Sequence, residues 1–356
     1  MTEEVRRIRV AINGFGQIGR RTAAALMTCY GDYFDLVAIN DLATPEDICL
    51  RLLRDSVYGA FPGAATIVDK NNLKVFTRSP GINNCIFNIL LFAEKDPSDL
   101  PWRDLNIDLV IDATGIFTTR EQLSAHLEAG ARKVLLTAPT KDESIPMFVN
   151  GVNTETENLF DDEVNIASNA SCTTNCIAPI LKMIEEETEW GWFNTIHAIT
   201  PSQKPFDSMG SKDPRRGRGC FHSLIPTTTG AAVAISKILP SLAGKLDGVA
   251  TRYPSDTGSM VDLHVRLKDD MTLDDFKEAL IARGDELQSQ GIISVINDVQ
   301  FVSCDVTGMY QACVVSLDLI QKIDDRTFRL ILWYDNEMGY VHQLMELARK
   351  MTINFE

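Results

Sequence analysis

The sequence predicts an α/β protein of two domains, on three observations. Through the first 150 residues, short apolar runs alternate with helical stretches, the pattern of a parallel sheet covered on both faces. A glycine-rich turn joins the first of these runs to the first helix. After residue 172 the later strands change to apolar–polar alternation, as half-exposed antiparallel strands do. A chain of 356 residues is long enough for two cores.

The elements follow in order. "RIRVAIN" (7–13) reads as a strand and "IGRRTAAALMTCY" (18–30) as an alanine-rich helix. "DLVAIN" (35–40) is the second strand, and "PEDICLRLLRD" (45–55) spaces its apolar residues for a helix. "IDLVIDAT" (107–114) and "RKVLLTA" (132–138) are strands flanking a helix at "TREQLSAHLEAG". Past residue 172, "TTNCIAPILKMIEEE" (173–187) suits a helix and "NTIHAIT" (194–200) a strand. A loop rich in Gly, Pro, Arg and Ser then runs from 201 to about 223. "SMVDLHVRLK" (259–268) and "TFRLILWYD" (327–335) alternate, and "NEMGYVHQLMELARKM" (336–351) is an amphipathic helix.

Composition narrows the function. A net charge of −15 repels nucleic acid and anionic membrane, so neither is expected as a partner. The one basic cluster, "KDPRRGRG" (212–219), has no interleaved aromatics and better suits loop anchoring or a small anion. No apolar run approaches the ~20 residues of a membrane span. The start, "MTEEVRRIRVAIN", lacks a signal-peptide core, so a cytoplasmic location is expected. The eight cysteines (29, 49, 85, 172, 176, 220, 304, 313) are scattered, mostly in apolar surroundings, and read as reduced thiols. No Cys/His spacing suggests a metal site.

"INGFGQIGR" (12–20) places Gly14, Gly16 and Gly19 between a strand and a helix. That context points to a dinucleotide: a tight turn at Gly14, close approach of a pyrophosphate at Gly16, and helix–strand packing at Gly19. The phosphates would meet N–H groups of Gln17 and Ile18 at the positive helix end. Asp41 ends the second strand, where a carboxylate can accept from ribose hydroxyls and repel a 2′-phosphate, favouring NAD over NADP.

In "SNASCTTNC" (168–176), Cys172 stands at a helix start, where the dipole is expected to lower its pKa, while Cys176 sits one turn in among apolar residues and reads as packing. His197, on the following strand, is the candidate base; spacing alone leaves open whether it reaches the thiol. His126, His264 and His342 read as surface or packing residues. Ser171, Thr173, Thr200, Ser202, "TTTG" (227–230) and Arg252 supply donors of the kind a phosphate site requires. A helix start capped by threonines would explain one of these threonines but not the wider collection.

With these residues in place, the chain resembles the glyceraldehyde-3-phosphate dehydrogenase family nearly end to end. "INGFGQIGR", "AIND", "DSVYGAFPG", "TGIFTT", "SNASCTTNCIAP", "HAIT", "RRGRG", "IPTTTGAA", "GKLDGVATR" and "WYDNEMGY" occur in family order. The resemblance implies an N-terminal Rossmann NAD-binding domain (1–171 with 336–356) and an α+β catalytic domain (172–335) with a mostly antiparallel sheet. The C-terminal helix would return to the Rossmann domain. The resemblance also implies a homotetramer whose 199–222 loop lines neighbouring cofactor sites. Cys172 would attack the aldehyde, with His197 accepting the proton. Thr200, Ser202 and Arg252 would hold the substrate phosphate, and Ser171, Thr173, Thr229 and Gly230 the inorganic phosphate. Gly14, Gly16, Gln17, Ile18, Gly19, Asp41, Lys95, Thr114, Gly115, Thr137, Asn336 and Tyr340 would bind NAD.

The chain departs from the family pattern in the loop. "HAITPSQKPFDSMGS" brings Pro201 and Pro205, and Met209 replaces a proline that commonly helps exclude NADP, which leaves NADP open as a second cofactor. "GRGCFHS" (217–223) adds bulk, and Asp256 enters near the substrate arginine. Three rival readings are an erythrose-4-phosphate dehydrogenase, an NAD-binding redox sensor using Cys172, and a Cys/His hydrolase. "HAIT" and "TTTG" favour the three-carbon substrate, the intact site residues disfavour the sensor, and the dinucleotide turn would be idle in a hydrolase.

Overall fold

The computed structural model describes residues 6–78, 85–155, 164–209 and 213–355. Lys212 of the basic cluster and Gly210 of the loop lie outside the described residues. The chain divides into two compact units. The first is Met1–Phe148, Thr154–Ala170 and Leu344–Glu356; the second is Val149–Asn153 and Ser171–Gln343.

In the first unit, β1 (Ile8–Asn13), β2 (Phe34–Asn40), β8 (Leu109–Asp112), β9 (Lys133–Leu136) and β10 (Ile166–Ser168) are parallel neighbours, in the order β10-β9-β8-β1-β2. Helices α1 (Gln17–Cys29), α2 (Pro45–Leu53) and α3 (Arg120–Glu128) lie within a residue or two of their sequence-predicted spans. Successive side chains of β1 face opposite ways, so Val10 and Ile12 join one apolar cluster with Leu26 and Leu344, while Ala11 joins another with Trp102 and Leu123. That two-sided burial, about 1.5–3 kcal/mol for each large side chain, explains why these strands read as unbroken apolar runs.

The sheet does not stop there. A short pair, β3 (Arg54–Asp55) and β4 (Gly59–Ala60), leads into β5 (Gly63–Asp69), β6 (Asn72–Thr77) and β7 (Ile86–Phe92). β7 pairs in parallel with β2, and β6 and β5 add antiparallel, giving an eight-stranded mixed sheet. The parallel pattern read over the first 150 residues misses this extension. β5 is exposed or half-exposed throughout and carries no apolar run.

The second unit contains a seven-stranded path β12-β13-β11-β14-β18-β16-β15, with β17 (Gln321–Lys322) pairing to β18. Its strands are β11 (Thr188–Ala198), β12 (Ile225–Thr228), β13 (Leu246–Tyr253), β14 (Ser259–Leu267), β15 (Ile293–Ile296), β16 (Cys313–Ser316) and β18 (Thr327–Tyr334). Four of the six pairs along this path are antiparallel; β11 with β13 and β15 with β16 are parallel. β14 alternates buried and half-buried as its sequence predicts, but β18 is buried along nearly its whole length. The reason is cover on both faces: Phe328 stacks on Phe276 of α6 (Leu273–Ser289), while Ile331 and Trp333 join a separate cluster with Val306 and Val314.

Helices α4 (Cys172–Met183) and α5 (Ala231–Ile238) of the second unit pack together. α4 ends four residues before the sequence suggests, leaving Glu185–Glu187 outside it. The last helix, α7 (Met338–Met351), is capped by Asp335, whose Oδ1 accepts the N–H groups of Glu337 and Met338 at 2.9 Å. Its residues from Leu344 onward belong to the first unit. Among the described residues no helix is long and apolar enough to cross a membrane.

Candidate active site

The dinucleotide turn is built by the backbone. Gly14 has φ +91 and a Cβ there would meet the Thr114 N at 2.8 Å; a Cβ at Gly19 would meet the Gly14 carbonyl at 1.9 Å. Only glycine fits either place. At Gly16 nothing lies within 4 Å of a Cβ position, so the turn is open toward a ligand. α1 has no side-chain cap and no acidic residue in its first turn, leaving the N–H groups of Gln17 and Ile18 at a positive helix end. A cavity of about 550 Å³ opens at this turn. Asp41 and Lys95 line it, with Leu42, Ile116 and Phe117 offering apolar surface for a base.

Asp41 is fixed by two backbone donors, Phe15 N–H to Oδ2 at 2.6 Å and Ala43 N–H to Oδ1 at 2.8 Å. Each carboxylate oxygen keeps a lone pair for a ribose hydroxyl. Thr114 and Gly115 follow the tip of β8, and the Thr137 N–H donates to the Asp112 carbonyl at 3.0 Å, so the sequence-named cofactor residues of this unit gather at its strand tips. Sequence reasoning missed Glu94, which also lines the cavity; its signal was adjacency to Lys95.

The thiol centre belongs to the second unit. Cys172 is the first residue of α4, and the N-cap, Ser171, accepts from Thr174 N at 3.2 Å. Just before it, Ala170 holds φ +52, a left-handed conformation that costs a non-glycine residue about 1–2 kcal/mol. Parallel pairing of β11 with β13 sets His197 beside Arg252. The Cys172 Sγ lies 3.4 Å from His197 Nε2, while His197 Nδ1–H donates to the Ala198 carbonyl at 2.7 Å, which leaves Nε2 the acceptor facing the thiol. One guanidinium nitrogen of Arg252 lies 2.6 Å from Nδ1 and donates to the same carbonyl at 2.9 Å. Among the described residues the Arg252 Nε has no hydrogen-bond partner.

Electrostatics here correct one expectation. Burial, followed by the charge of Arg252, lowers the His197 pKa to about 3. Burial also pushes the Cys172 thiol above its ordinary value; Arg252 and hydrogen bonds from Thr173 and the helix backbone oppose this without prevailing. The helix start therefore does not by itself lower the thiol pKa, because desolvation of a thiolate outweighs the helix end. At neutral pH the resting pair is a thiol beside a neutral imidazole. Cys176 is fully buried and pushed well above its ordinary value by burial and by Cys313, as suits packing.

Around this pair, Thr200 and Ser202 place their hydroxyls 2.9 Å apart, with the Gln203 Oε1 accepting from Thr200 Oγ1 at 3.1 Å. Thr173 Oγ1 contacts Tyr334 Oη at 3.0 Å. Thr227 and Thr228 lie on β12 rather than in the helix start, and Thr229 Oγ1 accepts from Ala231 N at 3.2 Å beside Gly230. Among the described residues no hydrogen bond joins Thr229 or Gly230 to Thr173 or Arg252. Asn336 accepts from Ser259 Oγ at 3.0 Å, and Tyr340 is buried on α7. The basic loop is anchored by Arg216, donating to Thr227 Oγ1 at 2.7 Å, and by an exposed Arg218–Asp207 pair at 3.2 Å. Sequence reasoning named Arg216 only within the basic cluster and did not single out Tyr334, which the β18 strand brings beside Thr173.

The family described as "Glyceraldehyde 3-phosphate dehydrogenase, NAD binding domain" matches residues 8–120, and "Glyceraldehyde 3-phosphate dehydrogenase, C-terminal domain" matches residues 171–336. The cytosolic glyceraldehyde-3-phosphate dehydrogenase of Pisum sativum is 38% identical over 96% of this chain and 97% of its own length. Glyceraldehyde-3-phosphate dehydrogenase 2 of Bacillus subtilis is 40% identical over 97% of both chains. The glyceraldehyde-3-phosphate dehydrogenase of Bacteroides fragilis is 39% identical over 96% of this chain and 98% of its own length.

Proposed function

The chain belongs to the glyceraldehyde-3-phosphate dehydrogenase family, and from that premise we propose that Cys172 is its nucleophile and His197 its proton acceptor. The activity is the family's: D-glyceraldehyde 3-phosphate, inorganic phosphate and NAD become 1,3-bisphosphoglycerate and NADH. One observation carries the residue assignment, the 3.4 Å approach of Cys172 Sγ to His197 Nε2 at the start of α4.

As the sulfur bonds to the aldehyde carbon, its proton passes to His197 Nε2 and the carbonyl oxygen becomes an oxyanion. The Cys172 N–H at the helix start and the imidazole stabilise that charge. Thr200, Ser202 and Arg252 hold the substrate phosphate. Its dianion offsets the guanidinium charge, which eases protonation of His197. NAD, when bound, supplies the hydride acceptor, leaving an acyl group on Cys172 as a thioester. Inorganic phosphate, held by Ser171, Thr173, Thr229 and Gly230, then attacks the acyl carbon; the C–S bond breaks and the sulfur regains its proton.

The cofactor fits the first unit: Gly16 leaves room for a pyrophosphate, Gln17 and Ile18 offer N–H groups, and Asp41 faces the ribose. Lys95, Thr114, Gly115 and Thr137 complete that set, with Asn336 and Tyr340 serving the nicotinamide. The paired negative charges of Asp41 and Glu94 oppose a 2′-phosphate and favour NAD over NADP, although Met209, wholly exposed, leaves its loop without the family's proline. We read the protein as a cytoplasmic homotetramer; the family resemblance and the cytosolic name of the pea relative support this. Its charge of −15 opposes nucleic acid and anionic membranes as partners.

The test is NADH formation from purified protein, NAD and glyceraldehyde 3-phosphate, with and without inorganic phosphate. Sustained turnover that needs phosphate is expected, and Cys172→Ser should cut it by about 10⁴-fold or more, as loss of a nucleophile does. Turnover that survives in Cys172→Ser would remove the residue from the mechanism. Turnover independent of phosphate would mean that water takes the acyl group.

A further inference from the structure

We infer that a chain of buried hydrogen bonds running from Trp102 through His126, Asp112, Asn13 and Asn40 to the backbone of Glu94 fixes the shape of the dinucleotide pocket, making these five side chains positioning residues for the cofactor. The inference rests on NAD occupying that pocket.

The pocket is lined by the segments that follow four strands: β1 with Gly14 and Gly16, β2 with Asp41 and Leu42, β7 with Glu94 and Lys95, and β8 with Thr114 and Ile116. Backbone pairing runs only one residue past the strands, from Gly14 N to the Asn40 carbonyl at 2.8 Å, Asp41 N to the Phe92 carbonyl at 3.0 Å and Ala113 N to the Asn13 carbonyl at 2.7 Å, so the segments beyond are tied to one another by side chains. The buried chain crosses all four. The Trp102 indole N–H donates to His126 Nδ1 at 3.1 Å. Since an indole can only donate, Nδ1 is the acceptor, and the neutral ring carries its proton on Nε2, which faces Asp112 Oδ2 at 3.3 Å. Asn13 Nδ2 donates to the same oxygen at 2.8 Å. The other oxygen of Asp112 accepts from Thr114 N at 3.1 Å and Thr114 Oγ1 at 2.7 Å, reaching the β8 segment.

Asn13 then offers its Oδ1 to Asn40 Nδ2 at 2.8 Å. Asn40 donates to the Glu94 carbonyl at 2.9 Å and accepts the Glu94 N–H at 2.8 Å, reaching the β7 segment. The Glu94 N–H can only donate, so the Asn40 amide orientation is fixed, and with it that of Asn13. In this assignment Asn13 Nδ2 and His126 Nε2, 3.2 Å apart, are both donors and share Asp112 Oδ2 as their acceptor.

All five side chains are 4% exposed or less, and among the described residues each of their polar atoms finds a partner. A buried polar network of this kind is costly when partly satisfied and rigid when complete. Asn13 and Asn40 border the cavity, while Asp112, His126 and Trp102 stand behind it. A pocket whose segments are tied before the ligand arrives loses less conformational freedom on binding. All five side chains belong to the first unit and the thiol pair to the second, so loss of the chain is read in the cofactor terms.

The experiment compares Trp102→Phe, Asn40→Ala and a control, Val75→Ala, which empties part of the same unit's core from β6 without touching the chain. NAD dissociation constant, KM for NAD, KM for the aldehyde, kcat and Tm are measured on the purified full-length protein. Trp102→Phe and Asn40→Ala should each raise the NAD dissociation constant and KM about fivefold, the scale of one buried hydrogen bond, with kcat at saturating NAD and aldehyde KM unchanged. Val75→Ala should lower Tm without moving NAD affinity. NAD affinity unchanged in the first two, or raised equally in the control, would overturn the inference. If Asn40→Ala does not fold, Trp102→Phe against the control decides. A wild-type protein that does not bind NAD at all would instead overturn the reading of the pocket.

Discussion

The dinucleotide pocket and the thiol centre handle charge in opposite ways. At the pocket a helix end is left open and uncapped, with Asp41 half-buried beside it, so the site holds ready-made donors and an acceptor for a ligand that brings its own charge. At the thiol centre a cation, Arg252, is packed against His197, and both members of the reacting pair rest neutral. The first site is organised for binding, and its geometry tolerates solvent. The second rests neutral chiefly because burial disfavours charge on either member, with the guanidinium adding to the effect at His197. Binding groups gain from exposed, fixed dipoles, whereas a proton acceptor can be tuned only where water is largely excluded.

The largest test of this contrast is His197→Asn. Loss of the proton acceptor should lower kcat by about 10²–10⁴-fold and leave NAD affinity unchanged. A matching loss of NAD affinity would show that the two regions do not act separately. Asp41→Asn is the reciprocal change and a smaller one: NAD affinity should fall about tenfold and discrimination against NADP should shrink, with kcat at saturation unaltered. NADP affinity that stays where it was would assign the discrimination to another group, with Glu94 the next to replace.

The smallest effect is on stability. His197 and His342 are held in the fold at about 3 and about 4, below the ordinary 6.5, chiefly by burial. Between those values the unfolded chain binds more protons than the folded one, so the stability these two histidines contribute is fully present above pH 6.5 and is lost as pH drops toward 4. Each group contributes at most about 1.4 kcal/mol per pH unit over that window. Thermal melts across the range read it directly. His342, stacked on Tyr310 at 3.8 Å, can be replaced by Leu to flatten the slope without touching the thiol pair. A Tm that rises on acidification would contradict the burial argument.

Much of the site was legible because its signals are local. Gly14, Gly16 and Gly19 sit within one turn, and their roles follow from what a Cβ would strike. Cys172 could be told from Cys176 by its place at a helix start against apolar neighbours one turn on. His197 could be named as the strand histidine that follows, but its distance from the thiol could not. The β5–β7 extension escaped although β6 and β7 alternate buried Leu73, Val75, Phe87, Ile89 and Leu91; only β5 is weakly marked, turning half-buried Ala65 and Ile67 toward the core. The half-exposed reading of β18 failed because both of its faces find partners distant in sequence.

By itself the sequence determined the order of the elements around the glycine turn and the thiol, the turn with its carboxylate at the end of the second strand, and which thiol stands at a helix start. Each depends on residues a few positions apart, where sterics and hydrogen bonding act over one turn or one strand. Tertiary structure alone decided that His197 lies beside Arg252, that the thiol rests protonated, and that His126 is a buried link rather than a surface residue. Register between strands sets which side chains are neighbours, and burial sets the cost of charging them. Both depend on contacts between residues far apart in the chain, which no local pattern encodes.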